Sequence, residues 1–346
     1  MTKQTALVIA PGRGTYNKEE LGYFTRHHAD KMDLLSQVDA YRRDKGQTCV
    51  SDLDNAERFS LKDHSRGDNA SPLIYTCAYA DFLSINQDKY DIVAVTGNSM
   101  GWYIALGCGA ALDTHNTLDV INTMGTFMQD SLIGGQLIYT CVDENWMEIP
   151  ERWAAMDALI ESINARPDHD LALSIRLGGV IVFGGNESGL KALEDILDVE
   201  QGRFPFRLAN HAAFHTYLQD SISEKALQHF DQGIFNKPSL PLIDGRGAIW
   251  SPYSTNTRDM FDYTFGHQVV EAYDFTKAIH VGLKEFTPEV IIVLGPGTTL
   301  GGAVAQSMIS IEWDGIASKS DFIARQKSDN PIILAMGMEE QRKLAV

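Results

Sequence analysis

Asp91-Ile92-Val93-Ala94-Val95-Thr96-Gly97-Asn98-Ser99-Met100-Gly101 is the stretch on which the fold of this chain turns. The apolar run Asp91–Val95 suits a central strand of a parallel sheet, buried on both faces. It leads into a G-x-S-x-G turn, and a helical pattern follows from Trp102 to Ala111. Strand, tight turn and helix in that order form the setting in which such a serine is a nucleophile on an elbow. The glycines fit a backbone too cramped for side chains across the turn. The helix beyond Ser99 aims its positive end and free N–H groups at the place where an oxyanion develops in acyl transfer. The motif therefore predicts an enzyme that carries acyl groups as an ester of Ser99.

Upstream, residues 5–10 read as a first buried strand ending in the loop Pro11-Gly12-Arg13-Gly14. Residues 18–45 read as one helix and 46–68 as a polar connection. Pro72 opens a helical stretch from Leu73 to Asn86, where its missing N–H is harmless near a first turn. Downstream the rhythm changes. Gln136–Val142 reads as a strand, Trp146–Asn164 as a helix, Leu171–Arg176 and Val180–Phe183 as strands joined at Gly178-Gly179, Glu187–Leu197 as a helix, and Phe204–Leu208 as a last strand. The order β-α-β-β-α-β is that of a ferredoxin-like unit. A helix from His211 through Phe230 and strands at Leu240–Ile243 and Val290–Leu294 return to the larger pattern. The expected fold is α/β: a parallel-sheet, hydrolase-like body (1–134 and 209–346) with an inserted ferredoxin-like α+β subdomain (135–208).

With 346 residues, 44% hydrophobic and 22% charged, the chain has enough apolar mass for a sizeable core. Its net charge of -17 argues against nucleic acid or an anionic membrane as partner. No apolar run approaches the ~18 residues of a membrane span, and the N-terminus reads as a strand rather than a signal peptide. Cys49, Cys77, Cys108 and Cys141 stand singly, as reduced thiols of a cytoplasmic protein do, and form neither a metal site nor a disulfide framework. An acidic partner would need a local basic patch, for which Arg42, Arg43 and Lys45 are candidates.

A serine nucleophile needs a base. Among ten histidines, His211 and His215 stand out in Asn210-His211-Ala212-Ala213-Phe214-His215, and composition does not choose between them. The surrounding motifs carry a resemblance. Pro11–Gly14, Gly97–Gly101, Gly125-Thr126-Phe127-Met128-Gln129, Phe214-His215-Thr216-Tyr217-Leu218, Gln268, Phe275-Thr276-Lys277 and Leu294-Gly295-Pro296-Gly297 together resemble the malonyl-CoA:acyl carrier protein transacylase family and the acyltransferase domains of polyketide synthases. The resemblance runs through most of the chain. It implies His215 as base, because Phe235-Asn236-Lys237-Pro238 begins 20 residues beyond it, near the distance at which the family has F-N-x-P. It also implies an oxyanion hole from the backbone N–H groups of Met100 and Arg13. A carbonyl near Gln268 would orient His215, and no metal or other cofactor is needed. The substrates would be a coenzyme A thioester and the phosphopantetheine thiol of an acyl carrier protein.

Four departures bear on the pocket. Met124 stands where malonyl-specific members carry an arginine that pairs with the free carboxylate, and a thioether cannot neutralise a buried charge. This favours a neutral acyl group. Asn98 replaces histidine, Trp102 replaces glutamate and adds apolar bulk, and Arg13 replaces glutamine. Arg13, or more weakly Arg176, can supply a cation from a new direction, and Arg13 reads equally as a surface arginine beside a glycine turn. His211 is expected in the pocket wall or in a structural role. Three alternatives stay open: an acyl-thioester hydrolase of editing type on the same scaffold, a patatin-like lipase using Asp244-Gly245, and a non-catalytic carrier-protein-binding subunit.

Overall fold

The computed structural model describes residues 2–346. Among the described residues eleven strands form two sheets. The strands are β1 Gln4–Ala10, β2 Tyr90–Gly97, β3 Gly135–Thr140, β4 Leu171–Leu177, β5 Val180–Gly185, β6 Phe206–Arg207, β7 Leu242–Ile243, β8 Ile249–Trp250, β9 Tyr273–Asp274, β10 Val290–Val293 and β11 Ile333–Ala335. The helices of seven or more residues are α1 Met32–Asp44, α2 Gly67–Ser84, α3 Gly101–Cys108, α4 Thr114–Asp130, α5 Pro150–Asn164, α6 Glu187–Ile196, α7 Asp220–His229, α8 Phe275–Phe286, α9 Leu300–Ile309, α10 Lys319–Gln326 and α11 Glu339–Ala345.

The large sheet has the order β11-β10-β1-β2-β7-β8. It is parallel except for the last pair, β7 with β8. Ala6 to Ala10 of β1 and Val290 to Val293 of β10 are buried along their whole length, the signature of a strand covered by helices on both faces. The small sheet has the order β6-β3-β5-β4-β9. Its first four strands are antiparallel with two helices between them, the ferredoxin-like arrangement expected from the strand and helix order. It has its own apolar core, in which Leu137, Leu171, Phe183, Leu190 and Leu193 pack with Ile163. Burying each such side chain contributes roughly 1.5–3 kcal/mol. The fifth strand, β9, comes from the body and pairs parallel with β4.

Several local expectations are corrected. Residues 18–45 are not one helix. Gly22 at φ 75° and a break at His28 divide them into short helical turns before α1 begins at Met32. The connection 46–68 contains two short helices, Val50–Asp54 and Leu61–His64. Helix α2 begins at Gly67, so Pro72 lies inside it. A proline there has no N–H for the carbonyl four residues back, which leaves the Asp68 oxygen unpaired. Arg42 repairs the gap: its Nη1 donates to that oxygen at 2.7 Å and to Asn122 Oδ1 at 2.6 Å. Its Nη2 donates to Asn69 Oδ1 at 2.7 Å. Arg42 is fully buried and belongs to no surface patch. Helix α5 starts at Pro150 rather than Trp146, whose φ is 65°. Residues 211–216 are a loop rather than the first turns of a helix, and α7 begins only at Asp220.

Candidate active site

β1 and β2 end side by side, so the loops that leave them meet. Asn98 N–H donates to the Ala10 carbonyl at 3.1 Å. A Cβ on Gly101 would stand 2.4 Å from that same carbonyl, and one on Gly97 would stand 2.2 Å from the Gly101 oxygen. Side chains cannot occupy either place, which is why the elbow is bounded by glycines. Ser99 sits between them at φ 56°, a strained setting for a serine. Helix α3 starts immediately after it, so the Met100 N–H is one of the donors that a helix start leaves without a helical acceptor. The N–H groups of Met100 and Arg13 have no acceptor among the described residues.

The loop after the small sheet brings His215 to Ser99, with Ser99 Oγ 2.6 Å from His215 Nε2. His215 Nδ1 is 2.6 Å from the Gln268 carbonyl. A carbonyl only accepts, so Nδ1 carries the proton and Nε2 is free to take one from Ser99. The carbonyl is available because the helical turn Gln268–Val270 stops within three residues, and the last carbonyls of a helix lack helical donors. Burial pushes the His215 pKa down to about 4, only partly offset by the bond to Gln268. The imidazole is therefore neutral at physiological pH, with the Nε2 lone pair open to accept a proton. The Gln268 side chain ties both halves together: Nε2 donates to the Ser99 carbonyl at 3.2 Å, and Oε1 accepts from Tyr103 OH at 2.9 Å. Tyr273 OH donates to the Gly97 carbonyl at 2.5 Å, and its ring lies 5.3 Å from that of His215.

Beside this pair lies a narrow cavity of about 30 Å³, lined by Ile121, Met124, Met128, Tyr103, Phe214 and Arg13 among others. Ile121, Met124 and Met128 fall at spacings of three and four on α4, one face of the helix. That face comes close because α4 and α2 touch at glycines: a Cβ on Gly125 would stand 2.5 Å from the Gly67 carbonyl. Sequence reasoning singled out Met124 and missed Ile121, Met128, Tyr103 and Tyr273. The helical spacing was a usable signal for the first two and for Tyr103, four residues after Ser99. Tyr273 had none.

Three residues expected in the pocket lie outside its lining. Trp102 is fully buried behind the elbow, with Nε1 donating to Thr264 Oγ1 at 3.0 Å. Asn98 faces the Gly12 backbone, with its Oδ1 unpaired. His211 Nδ1 lies 2.8 Å from Gln136 Oε1, in a chain that runs through Ser174 to the Phe214 carbonyl. Arg176 stacks on Trp153 at 5.0 Å, outside the cavity. The Asp244 carboxylate, a candidate partner for a patatin-like serine, is occupied by Arg246, Trp250 and the backbone N–H groups of Arg246 and Ala248.

No family model matches the sequence, and no curated protein matches it. Solved structures do. The acyl-carrier-protein S-malonyltransferase from Burkholderia pseudomallei 1710b is similar over 99% of both chains, with a TM-score of 0.74 and 16% identity. The malonyl-CoA:acyl carrier protein transacylase from Xanthomonas oryzae pv. oryzae is similar over 100% of this chain and 98% of its own, with a TM-score of 0.75 and 15% identity. A malonyl-transacylase in complex with its type II polyketide synthase acyl-carrier protein gives a TM-score of 0.71 at 15% identity, over 99% of each chain. The chain thus has the malonyl-CoA:acyl carrier protein transacylase fold over its full described length.

Proposed function

We propose that this protein is an acyltransferase that moves an acyl group from a coenzyme A thioester to the thiol of an acyl carrier protein through an ester of Ser99. The contact between Ser99 Oγ and His215 Nε2 at 2.6 Å carries the reading, because Nδ1 is already committed to the Gln268 carbonyl. His215 takes the Ser99 proton as Oγ attacks the thioester carbonyl. The oxyanion forms against the N–H groups of Met100 and Arg13. Collapse breaks the C–S bond, and the proton passes from His215 to the departing thiolate of coenzyme A. The carrier thiol then gives its proton to His215, attacks the ester and releases Ser99. A carbonyl stands where a Ser-His-Asp triad has its carboxylate. The chemistry calls for no group beyond the two substrates. The fold shared with malonyltransferases supports the reading. The small unit, residues 135–208, enters as an insertion between body segments 1–134 and 209–346. Four buried, unpaired cysteines fit a cytoplasmic setting. Among the described residues no helix is long and apolar enough to cross a membrane.

The acyl group is small and neutral in this reading. Met124 and its apolar neighbours on α4 offer no charge to a free carboxylate. Among the described residues the one cation in the cavity lining, Arg13, is committed through Nη2 to the Ser65 and Asn210 carbonyls. Burying a carboxylate unpaired is expensive. A cavity of about 30 Å³ holds on the order of two waters, enough for a short acyl tail. Intact-mass measurement after incubation with acetyl-, malonyl- and longer acyl-CoA tests both parts. Acetyl loading faster than malonyl is expected, with Ser99→Ala blocking all of it. If no donor acylates Ser99, the catalytic reading is lost. A malonyl preference would overturn the neutral-acyl assignment alone.

A further inference from the structure

We propose that a clasp of Arg13, Ser65 and Asn210 decides which nucleophile discharges the acyl-serine, excluding water in favour of a thiol. The proposal rests on the acyl-serine reading above. Arg13 Nη2 donates to the Ser65 carbonyl at 2.8 Å and to the Asn210 carbonyl at 3.1 Å. Asn210 Nδ2 closes the ring by donating to Ser65 Oγ at 2.6 Å. Three segments distant in sequence are thereby fastened: the loop after β1, the turn before α2, and the strand return at Asn210, whose φ is 56°. The guanidinium also lies over the Phe214 ring, 5.3 Å from its centre. Phe214 precedes His215, and both it and Arg13 line the cavity.

The arrangement is costly in isolation. Arg13 Nε is buried with no hydrogen-bond partner, and among the described residues no carboxylate forms an ion pair with this side chain. Desolvation draws its pKa down to about 10, against a smaller opposing effect of Asp68. A half-buried cation with an unpaired Nε and no ion-paired carboxylate is disfavoured unless it serves something. Here it closes one flank of the acyl cavity with bonds to two main-chain carbonyls that a shorter or neutral side chain cannot span together. Water and a thiol discharge the ester by the same route. Either loses its proton to His215 Nε2 and attacks the carbonyl carbon. The bond to Ser99 Oγ then breaks, and Oγ takes the proton back. The products are a carboxylic acid from water or a new thioester from the thiol. A thiol gives up its proton more readily and is the stronger nucleophile, so the site has only to keep bulk water from the ester, a recognised means of suppressing such a side reaction.

The test loads the full-length protein from acetyl-CoA and follows the acyl-serine by intact mass, with and without pantetheine as thiol. Wild type, Asn210→Ala, Ser65→Ala, Arg13→Gln and Arg13→Lys are compared. In wild type the ester is expected to persist in water and to clear on adding pantetheine. Asn210→Ala and Ser65→Ala should load within about threefold of wild type yet hydrolyse about tenfold faster, as expected for one lost hydrogen bond of ordinary strength. Arg13→Gln should hydrolyse at least as fast, with Arg13→Lys between it and wild type. Combining Arg13→Gln with Asn210→Ala should add little to either alone, because both open one clasp. Ester lifetimes equal to wild type in the Asn210 and Ser65 variants overturn the clasp and leave the acyl-serine reading intact. Loading and hydrolysis falling together in those variants also overturn it, since that marks a merely structural role. Failure of wild type to acylate overturns both.

Discussion

Ser99 and His215 have the same unusual backbone, each at φ 56°, but the two conformations are held by different means. The elbow is fixed by its neighbours in sequence: glycines two residues to either side, the end of β2 before it and the start of α3 after it. The loop of His215 is fixed from far away. The Phe214 carbonyl accepts from Ser174 Oγ at 2.7 Å, 40 positions back. His215 itself is held by a carbonyl 53 positions on. Strain at a reactive site persists only where the surroundings over-determine it. One half of this site is over-determined locally, the other by tertiary contacts.

The sharpest way to break the pair is at Ser99, the proposed nucleophile. Ser99→Ala should lower acyl transfer by about 10⁴-fold or more, with circular dichroism unchanged. If half the activity remains, the elbow is not the reactive half. Next, Gly97→Ala attacks the local means of support. Its Cβ would meet the Gly101 oxygen at 2.2 Å, a backbone clash with no rotamer to relieve it, and should cost at least about 3 kcal/mol in denaturant unfolding. Third, pH probes the buried histidine. Its folded pKa of about 4 lies below the ordinary value of 6.5, so the unfolded chain binds the proton first. The corresponding stability is fully present above about 6.5 and is lost as pH falls toward 4, roughly 3 kcal/mol in all. The loading rate should stay flat from pH 8 down to about 5 and fall below that. A limb centred near 6.5 would mean His215 is not buried in solution. The smallest effect tests remote support. Ser174→Ala removes one donor to the Phe214 carbonyl and should reduce loading about fivefold, the size of one ordinary hydrogen bond, while leaving the elbow and the overall stability within about 1 kcal/mol. No change in loading would show that the loop holds His215 without the small sheet.

The same contrast explains what could be read in advance. The elbow, the parallel body and the ferredoxin-like unit were legible because strand runs, glycine turns and helical spacing are local patterns. His215 was separable from His211 only through resemblance to a family, since the contacts that place it come from Gln268 and Ser174. The helix expected over residues 211–230 fails for the same reason: Asn210 and His215 adopt positive φ under tertiary constraint, which propensity does not register. Arg42 reads as a candidate for a basic patch, yet it repairs a helix that Pro72 interrupts 30 positions later. Trp102 was assigned to the pocket because it stands where the resembled family has glutamate. Its indole instead turns to Thr264 behind the elbow, a tertiary contact that sequence spacing does not register, while Tyr103, at i+4 from Ser99, lines the cavity.

The strand Tyr273–Asp274 has a consequence for modular engineering. It is the fifth strand of the small sheet, yet it belongs to the body in sequence. Its tyrosine bonds to Gly97 and lies beside His215, and its aspartate caps α8 by accepting from Lys277 N–H at 2.8 Å. A chimera that exchanges residues 135–208 between two such proteins would therefore leave one edge of the new sheet paired with a strand selected for the old one. The mismatch would be felt at the turn that holds Ser99. A graft that also carries residues 273–276, including Thr276, whose hydroxyl accepts from Gly178 N–H at 2.8 Å, moves the natural seam, and two grafts differing only in those four positions would measure how much that seam is worth.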